Sequence, residues 1–342
     1  MQRLQRGTVG ISTAIPRLGV NVIAQDNGAG LSVDANLIIE TARAAGIAMR
    51  WTRALEAPTA LRALRKAGLL RFTPKPFAMN LFLEKFDPTF FPLAFRNVLI
   101  PNPEWFPMNQ LENLSGIDLV LCKSRHAEVG FQELGHRVRY VGFTGRDRWA
   151  GQSAASQPMR ALHVAGRSAW KGTTALLEVW RRHPEWPELT VVQRPSADNP
   201  VVDTTQSDNI RLVTARISEE ELIQLQRSHP LFILPSEVEG YGQTLAEGMS
   251  VGAVVVTTDG APMNEIVSVG RGALVPVSSQ QPMRFGTRYL IETAALESTI
   301  ASVMTWSVDH RVAIGTAARA WFTENDRRFR TAFPQAIRDT LR

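Results

Sequence analysis

Short apolar runs alternate with amphipathic stretches along the first half of the chain. Residues 20–24 form a mostly apolar run of strand length, and residues 31–45 then place apolar side chains three and four positions apart. Ser32 is a candidate cap for this helix, and Gly46 is a candidate stop. Further strands are predicted at 47–52, 77–83, 97–100, 118–122 and 137–141, with helices at 59–70 and 123–134. This alternation predicts a parallel sheet that helices cover on both faces.

The second half repeats the alternation. Strands are predicted at 160–165, 189–193, 210–214, 231–234 and 253–257, with helices at 173–182, 219–226 and 244–250. Residues 311–342 are predicted to be helical to the end, with a break near Pro334. The small and polar stretch 150–158 is typical of a linker. The fold class is therefore α/β, with two Rossmann-like domains facing across a cleft, where a ligand is expected.

Composition supports a globular chain of two domains. The protein has 342 residues, of which 44% are hydrophobic and 20% charged, which excludes disordered and collagen-like classes. Its single cysteine, Cys122, excludes a disulfide framework and a thiolate metal cluster. No apolar run approaches the ~18 residues that a transmembrane helix needs, and no signal peptide is predicted. We expect a cytoplasmic protein, with peripheral contact to a membrane as an open option.

Positive charge is concentrated in the first half. Residues 1–150 carry 19 basic and 12 acidic residues, whereas residues 151–342 carry 19 and 20. Within residues 41–80 there are eight basic residues and one acid, Glu56. This asymmetry indicates a polyanionic partner or an anionic surface, with a simple solvated basic face as the alternative. The 59–70 helix could bind nucleic-acid phosphates through Arg62, Arg65 and Lys66 if its leucines are buried. If its leucines are exposed, the helix is suited to bind a membrane surface.

The most informative segment is 234–252, with the sequence LPSEVEGYGQTLAEGMSVG. A strand ends at Pro235, a glycine-rich loop follows, and a helix is predicted to begin near Thr244. Backbone N–H groups at such a junction form an anion site, and Gly240 and Gly242 permit close approach. Glu239 and Glu247 can accept hydrogen bonds from sugar or ribose hydroxyls. The alternative for Glu247 is a capping box with Thr244.

The stretch 234–267 resembles the signature of retaining GT-B glycosyltransferases of the family-4-like (group 1) type. The shared pattern is a Pro-Ser-x-x-Glu-Gly-x-Gly start, a glutamate pair with seven residues between, and a Glu-Ile-Val close at 265–267. The resemblance implies that Glu239 holds the donor sugar and Glu247 the ribose of the nucleotide. Further donor-binding candidates are Tyr241, Gly242, Gln243, Thr244 and Arg216.

Two further loops resemble the same family. Arg167 and Lys171 match a Gly-Arg…Lys-Gly motif whose cations bind the donor diphosphate, neutralising charge on the leaving group. Gly28 and Gly30 match the glycine-rich first loop that closes over the donor. The same loop is a partial Gly-x-Gly-x-x-Gly with Val33 in place of the third glycine, so an NAD(P)-dependent oxidoreductase is the rival. That rival lacks the ribose carboxylate after the second strand, where residues 50–53 contain no acid.

Residues 100–106 depart from the family pattern. Many relatives have a histidine here near the donor sugar, whereas this chain has Asn102 and Glu104 on the expected acceptor side. Glu104 or Asp26 is a candidate general base toward an acceptor hydroxyl, which would suit inversion, although the intact second-domain motif favours retention. The neighbouring Trp105 and Phe106 either stack on a ligand or pack in the core.

The histidines show no paired ligand spacing, and Asp-x-Asp is absent, so the resemblance implies a metal-independent enzyme without a cofactor. It implies transfer of a hexose or pentose from a nucleoside diphosphate sugar to an acceptor hydroxyl. The acceptor candidates are a hydroxylated base of nucleic acid, an anionic lipid and an acidic saccharide. A GT-B protein that binds a nucleotide without turnover is the non-enzymatic alternative.

In GT-B proteins the first domain mainly binds acceptor and the second mainly binds the nucleotide sugar. The resemblance therefore assigns residues 1–150 to the acceptor-side domain and 151–312 to the nucleotide-sugar domain. Residues 313–342 are expected to cross back toward the first domain. Residues 270–300, with the sequence MRFGTR at 283–288, match no pattern.

Overall fold

The computed structural model describes residues 19–53, 58–69, 75–197, 199–201 and 207–342. The first half contains a six-stranded sheet in the order β2-β1-β3-β4-β5-β6, and every paired neighbour runs parallel. Its strands are β1 (Val20–Ile23), β2 (Met49–Thr52), β3 (Phe77–Leu83), β4 (Ala94–Ile100), β5 (Leu119–Cys122) and β6 (Val138–Tyr140). The order reverses between β1 and β3, so a crevice opens at the carboxyl ends of these two strands.

The helices of this half are α1 (Gly30–Ala44), α2 (Thr59–Lys66) and α3 (Arg125–Glu133). The prediction that Ser32 caps α1 was wrong, because the helix begins two residues earlier and Ala29 holds the cap position. The Ser32 hydroxyl instead accepts from the Gly28 N–H at 2.8 Å and donates to Asp26 at 2.7 Å. Helix α2 ends four residues before its predicted end, and position 70 lies outside the described residues.

The second sheet has the order β12-β11-β10-β7-β8-β9, again with parallel pairs throughout. Its strands are β7 (Ala161–Gly166), β8 (Leu189–Gln193), β9 (Ile210–Val213), β10 (Leu231–Leu234), β11 (Val254–Thr258) and β12 (Ala273–Val275). This is the strand order of a Rossmann sheet, with its reversal between β7 and β10. The prediction of two Rossmann-like domains is confirmed.

Helices α4 (Thr173–Arg181), α5 (Glu219–Ser228), α6 (Gln243–Ser250), α7 (Met263–Ile266) and α8 (Thr293–Met304) accompany this sheet. His163 lies in β7 and is fully buried. Its ring nitrogens bond to the Ile233 carbonyl at 2.7 Å and the Thr173 hydroxyl at 2.8 Å. Burial lowers the pKa of His163 to about 4, so the ring is a neutral part of the core.

The stretch that sequence patterns left without interpretation contains an antiparallel hairpin. Its strands are β13 (Ser279–Met283) and β14 (Gly286–Leu290), which pair from Ser279 with Leu290 to Met283 with Gly286. The residues of β13 are largely exposed. The hairpin lies apart from the two main sheets, and its tip reaches the first domain.

The chain ends in a 34-residue helix, α9 (Val308–Leu341), which runs without interruption through Pro334. The predicted break was therefore wrong. A proline within a helix costs ~3 kcal/mol, and burial of Phe333, Pro334 and Ile337 in the core offsets this cost. Near its end, α9 contacts the first domain, where Arg338 donates to the Ala45 carbonyl at 2.6 Å.

The stretch 150–158 is packed against the second domain. Ala154 and Ala155 are buried, and their N–H groups donate to the carbonyls of Val251 and Gly252 at 2.9 and 3.2 Å. Within the described ranges, no helix combines the length and the apolar character required to cross a bilayer.

Candidate active site

The carboxyl ends of the two sheets face each other across a cleft of about 390 Å³. Loops that follow β1, β3, β4 and β5 form the wall from the first domain, and loops that follow β7 and β10 form the opposite wall. Twelve of the residues singled out in the sequence line the cleft: Gly30, Asn102, Glu104, Trp105, Arg167, Lys171, Glu239, Gly240, Tyr241, Gly242, Gln243 and Thr244.

The loop between β10 and α6 brings Glu239 to the cleft. Its carboxylate accepts a hydrogen bond from the Ser236 hydroxyl at 2.8 Å and forms an ion pair with Lys171. The next residue, Gly240, packs closely against the first domain, because a Cβ there would lie 2.6 Å from Asn102 Oδ1 and 2.8 Å from Glu104 Oε1, and these side chains would have to shift. The second domain thus approaches the first to van der Waals contact at this loop.

Two helices begin at the cleft, one from each domain. The cap position of α1 is Ala29 and that of α6 is Gly242, with φ of +108°, and neither supplies a side-chain cap. The alternative for Glu247, a capping box with Thr244, is therefore wrong. Uncapped N–H groups and the positive ends of the helix dipoles favour an anion between the two helices.

The cations of the second domain differ in their environment. Lys171 follows β7 and is mostly buried against Glu239, with 16% of its side chain exposed. Arg167 is exposed at the mouth of the cleft and makes no ion pair among the described residues. An anionic ligand can therefore gain a charged contact from Arg167 without breaking an existing pair.

A buried polar network, which the sequence did not indicate, lies behind the wall from the first domain. Lys123, after β5, forms an ion pair with Asp34 of α1 and donates to Asn102 Oδ1 at 2.8 Å. Gln243 of the second domain donates to the other Asp34 oxygen at 2.8 Å. Two features of the sequence could have indicated this network. Asp34 is an acid on the apolar face of α1, and Lys123 is a lysine at the carboxyl edge of the sheet.

Glu104 is 3% exposed, and its Oε2 has no hydrogen-bond partner among the described residues. Burial raises its pKa to about 7, with Glu239 and Glu84 adding to the rise and Lys123 opposing it. The two aromatic residues that follow have different roles, because Trp105 lines the cleft whereas Phe106 is fully buried.

Glu247 does not lie on the wall of the cleft. Its buried carboxylate is 3.4 Å from Arg148 and accepts from Gln226 at 2.8 Å. Burial raises its pKa, and Arg148 opposes this rise. The structure thus brings Glu239 and Lys171 together but holds Glu247 in a separate set of contacts.

Several other candidates also lie away from the cleft wall. Asp26 accepts from Ser32 and lies 3.5 Å from Arg53, and Gly28 is in the same turn, with φ of +61°. Arg216 is exposed between β9 and α5.

The three cations of α2 are exposed, and Arg65 donates to the Thr89 hydroxyl at 3.0 Å. Leu61 and Leu64 of this helix are half-buried. They are therefore neither fully buried, as expected for a nucleic-acid surface, nor fully exposed, as expected for a membrane surface. No group of three potential metal ligands is found within the described residues.

Comparison with known proteins supports the family resemblance. Residues 160–292 match the family model described as "Glycosyl transferases group 1". A comparison of the sequence with curated proteins finds no match.

Solved structures share the fold over most of this chain. For sucrose-phosphate synthase from Thermosynechococcus elongatus the TM-score is 0.69 at 13% identity, over 94% of this chain and 98% of that one. For HepE from Anabaena in complex with UDP-glucose it is 0.67 at 15% identity, over 94% and 99%. A chain of the GtfA/B complex gives 0.60 at 16% identity, over 81% of this chain but only 61% of that one.

These identities are low, so the structural likeness establishes the fold and nothing finer. It agrees with the two six-stranded parallel sheets of this chain. Residues 160–292 thus form a domain of the group 1 glycosyl transferases, and the chain as a whole has the GT-B fold.

Proposed function

We propose that this protein transfers a sugar from a nucleoside diphosphate sugar to an acceptor hydroxyl. The observation that carries the proposal is the cleft itself, where Arg167, Lys171 and two uncapped helix N-termini surround a space beside Glu239. Negative charge develops on the diphosphate as the sugar leaves, and preorganised cations and N–H groups stabilise that charge most strongly in the transition state. HepE, a structural neighbour, is described in complex with UDP-glucose.

The ion pair of Lys171 with Glu239 has a part in this reaction. In the structure each of these two charges neutralises the other. A donor diphosphate that takes Lys171 as its partner frees the Glu239 carboxylate, which can then accept hydrogen bonds from the sugar hydroxyls. Because Arg167, Lys171 and the helix ends supply the positive charge, the proposed transfer needs no metal ion or other cofactor.

The remaining donor contacts are assigned by the family resemblance. Gly28 and Gly30 are proposed to close over the donor, with Arg216 as a further cation. The ribose role of Glu247 requires its carboxylate to exchange its contact with Arg148 or Gln226 for the ribose hydroxyls.

Retention of anomeric configuration is proposed from the second-domain motif. Inversion is the second candidate, because the unpartnered Oε2 of Glu104 could take the proton of an acceptor hydroxyl, as could Asp26 with less burial. The two candidates are separated by NMR of the product, since the anomeric proton coupling reports the configuration directly. A pentose and a hexose are both compatible with the cleft.

We propose that the acceptor is anionic, on the basis of the charge of the first half and the exposed cations of α2. Single-stranded DNA, vesicles with anionic lipid and an acidic polysaccharide should each be tested for binding at increasing salt. The double variant Arg62→Ala/Lys66→Ala should weaken the true interaction several-fold. The exposed pair on α9, Arg327→Ala/Arg328→Ala, is the matched control. Equal loss in both variants would favour the solvated-face alternative.

The deciding experiment is thermal unfolding with UDP, GDP, ADP, CDP, TDP, NAD and NADP. We expect one nucleoside diphosphate to stabilise the protein, by about 2.7 kcal/mol at 100 times its Kd, which is a shift of roughly 5 °C for a chain of this size. Lys171→Ala should abolish the shift, whereas Lys75→Ala, an exposed lysine of the first domain, should retain it. Chelation of metal ions with EDTA should leave the shift unchanged.

Other outcomes identify the alternatives. A shift with NAD or NADP alone would indicate an oxidoreductase. A shift with a nucleoside diphosphate but no release of sugar from any of the corresponding donors would indicate a binding protein without turnover. No shift with any member of the panel would contradict the proposal.

A further inference from the structure

The tip of the β13–β14 hairpin inserts a phenyl ring into an aromatic socket of the first domain. The Phe285 ring lies 5.5 Å from that of Phe106 and 5.7 Å from that of Phe131, centre to centre, although Phe285 belongs to the second domain. These two rings of the socket are themselves 5.6 Å apart in an edge-on arrangement. Aromatic pairs in edge-on or tilted contact gain stability beyond that of the area they bury, so the insertion is a substantial contact between the domains.

The backbone around Phe285 holds the segment that carries Glu104. The Phe285 N–H donates to the Pro103 carbonyl at 3.3 Å, and Arg284 donates to the Trp105 carbonyl at 2.5 Å. Gly286 lies directly against Glu104, because a Cβ on this glycine would come within 3.1 Å of both the Cβ and the N atom of Glu104. The hairpin tip therefore contacts residues on both sides of Glu104 and Glu104 itself.

The base of the hairpin is attached to the donor side of the cleft. Arg288 forms an ion pair with Glu237 at 2.5 Å and stacks over Trp170 at 4.4 Å. The Tyr289 N–H donates to the Glu237 carbonyl at 2.8 Å. Glu237 lies two residues before Glu239, and Trp170 immediately precedes Lys171, so the hairpin joins the proposed diphosphate loops to the first domain.

We infer that the β13–β14 hairpin positions Glu104 in the cleft, and that Phe285 is a positioning residue for sugar transfer. This inference rests on the proposed function. Glu104 is held between two glycines of the second domain, Gly240 and Gly286, while its Oε2 makes no hydrogen bond within the described residues. Its position is therefore set by packing, and the packing on the side of Gly286 depends on the anchored ring of Phe285.

Withdrawal of the ring should affect chemistry more than nucleotide binding. The proposed nucleotide contacts come from Lys171, Arg167 and the start of α6, none of which Phe285 touches. A looser 103–106 segment would expose Glu104 to water and bring its pKa down toward its ordinary value. The charged groups that face Glu104 are Lys123, Glu84 and Glu239, together with Arg284 of the hairpin tip near Trp105, and they remain in the variant.

The test compares Phe285→Ala and Phe285→Leu with wild type and with Phe95→Ala. Phe95 is the matched control, because it is a 57% exposed phenylalanine of the first domain. The measured quantities are the Kd for the panel of nucleoside diphosphates and the rate of sugar release from UDP-glucose, GDP-mannose, ADP-glucose, CDP-glucose and TDP-glucose between pH 5 and 9. Hydrogen–deuterium exchange of residues 103–106 is followed in parallel.

For Phe285→Ala we expect a kcat at least ten-fold lower, a nucleotide Kd within two-fold of wild type, and a midpoint of the pH–rate profile at lower pH. Exchange of the amides of Glu104, Trp105 and Phe106 should be faster, and Phe285→Leu should recover most of the loss of kcat. An unchanged kcat, or a Kd that weakens as much as kcat falls, would overturn the inference.

A failure of the proposed function can be distinguished from a failure of the inference about Phe285. If wild type releases sugar from none of the donors, the exchange measurement decides, and unchanged exchange in Phe285→Ala overturns the inference. If Phe285→Ala does not fold, Arg284→Ala serves instead, because it removes the contacts to the Trp105 carbonyl and ring and leaves Phe285 in place. This variant should give a smaller change of kcat in the same direction. An unchanged kcat and unchanged exchange in that variant would equally overturn it.

Discussion

Glu104 is a buried acid that lies close to two other acids, Glu84 and Glu239. Glu84 and Glu239 raise its pKa in addition to burial, and Lys123 is the positive group that opposes them. Lys123 is already paired with Asp34, and this pairing weakens its electrostatic attraction for the Glu104 carboxylate. A carboxyl with a pKa of about 7 exchanges its proton readily near neutral pH, which is the property required of a group that receives a proton from a hydroxyl.

The raised pKa predicts a pH-dependent effect of Glu104→Gln on stability. The folded pKa of about 7 lies above the ordinary 4.5, so the folded state binds this proton more tightly than the unfolded state does. The stabilising contribution is fully present below pH 4.5 and is lost as the pH rises through 7. Glutamine mimics the protonated form at every pH, so the variant should gain roughly 2–3 kcal/mol relative to wild type between pH 5 and pH 8.5.

Urea unfolding at the two pH values measures this difference. Glu112→Gln, an exposed carboxyl of the same domain, should show no comparable change between the two pH values. An equal effect of Glu104→Gln at pH 5 and pH 8.5 would show that Glu104 is charged in the folded protein throughout this range.

At the scale of elements, the sequence predicted the strands, helices and loops that local residue patterns determine. Apolar runs identified the main strands, and the glycines of 234–252 identified the loop that enters the cleft. The errors came from tertiary contacts, because core packing keeps α9 continuous through Pro334, and Ser32 bonds to Asp26 instead of capping a helix. The hairpin escaped detection because β13 is exposed and lacks alternating apolar residues.

The predicted site was incomplete for the same reason. Glu239 and Lys171 are in loops with a recognisable spacing, whereas the network of Lys123, Asp34 and Gln243 joins residues far apart in the chain. No local pattern encodes such a contact. The socket of Phe106 and Phe131 for Phe285 also depends on the relative position of the two domains.

Helix α9 depends on a glycine at its crossing with the second domain. A Cβ on Gly315 would lie 2.1 Å from the Gly252 carbonyl oxygen, a backbone atom that can yield only if the helix moves. We expect Gly315→Ala to lower the free energy of unfolding by about 1–3 kcal/mol or more, as overpacking does. Urea unfolding measures the change.

Gly130→Ala on α3 is the matched control, since its added Cβ meets nothing closer than 3.6 Å. Alanine favours a helix over glycine, so this control should be neutral or stabilising by up to about 1 kcal/mol. Stabilisation of both variants would show that helix propensity, and not the crossing of α9, determines the result.

At the scale of the whole molecule, several separate contacts fix the relative position of the two domains on either side of the cleft. Gln243 donates to Asp34, and the hairpin tip enters the aromatic socket. In addition, Glu265 from α7 accepts hydrogen bonds from the N–H groups of Arg125 at 2.8 Å and His126 at 2.9 Å, at the start of α3. A carboxylate of one domain thus adds a second cap to a helix of the other domain, beside the cap from Ser124.

The Glu265 cap predicts that stability and domain arrangement are linked. Glu265→Ala leaves two N–H groups of α3 without this partner and removes a negative charge from a helix N-terminus, which should cost about 1–2 kcal/mol. Ser124→Ala removes the other cap of α3, the 3.1 Å bond from the Ala127 N–H, which lies within the first domain. Both variants should therefore lower the free energy of unfolding by similar amounts. Only Glu265→Ala should also increase the radius of gyration in X-ray scattering. Of the two caps, only the Glu265 cap joins the domains, whereas the Ser124 cap lies within the first domain. An equal radius in the two variants would mean that the hairpin, Gln243 and α9 hold the domains together without Glu265.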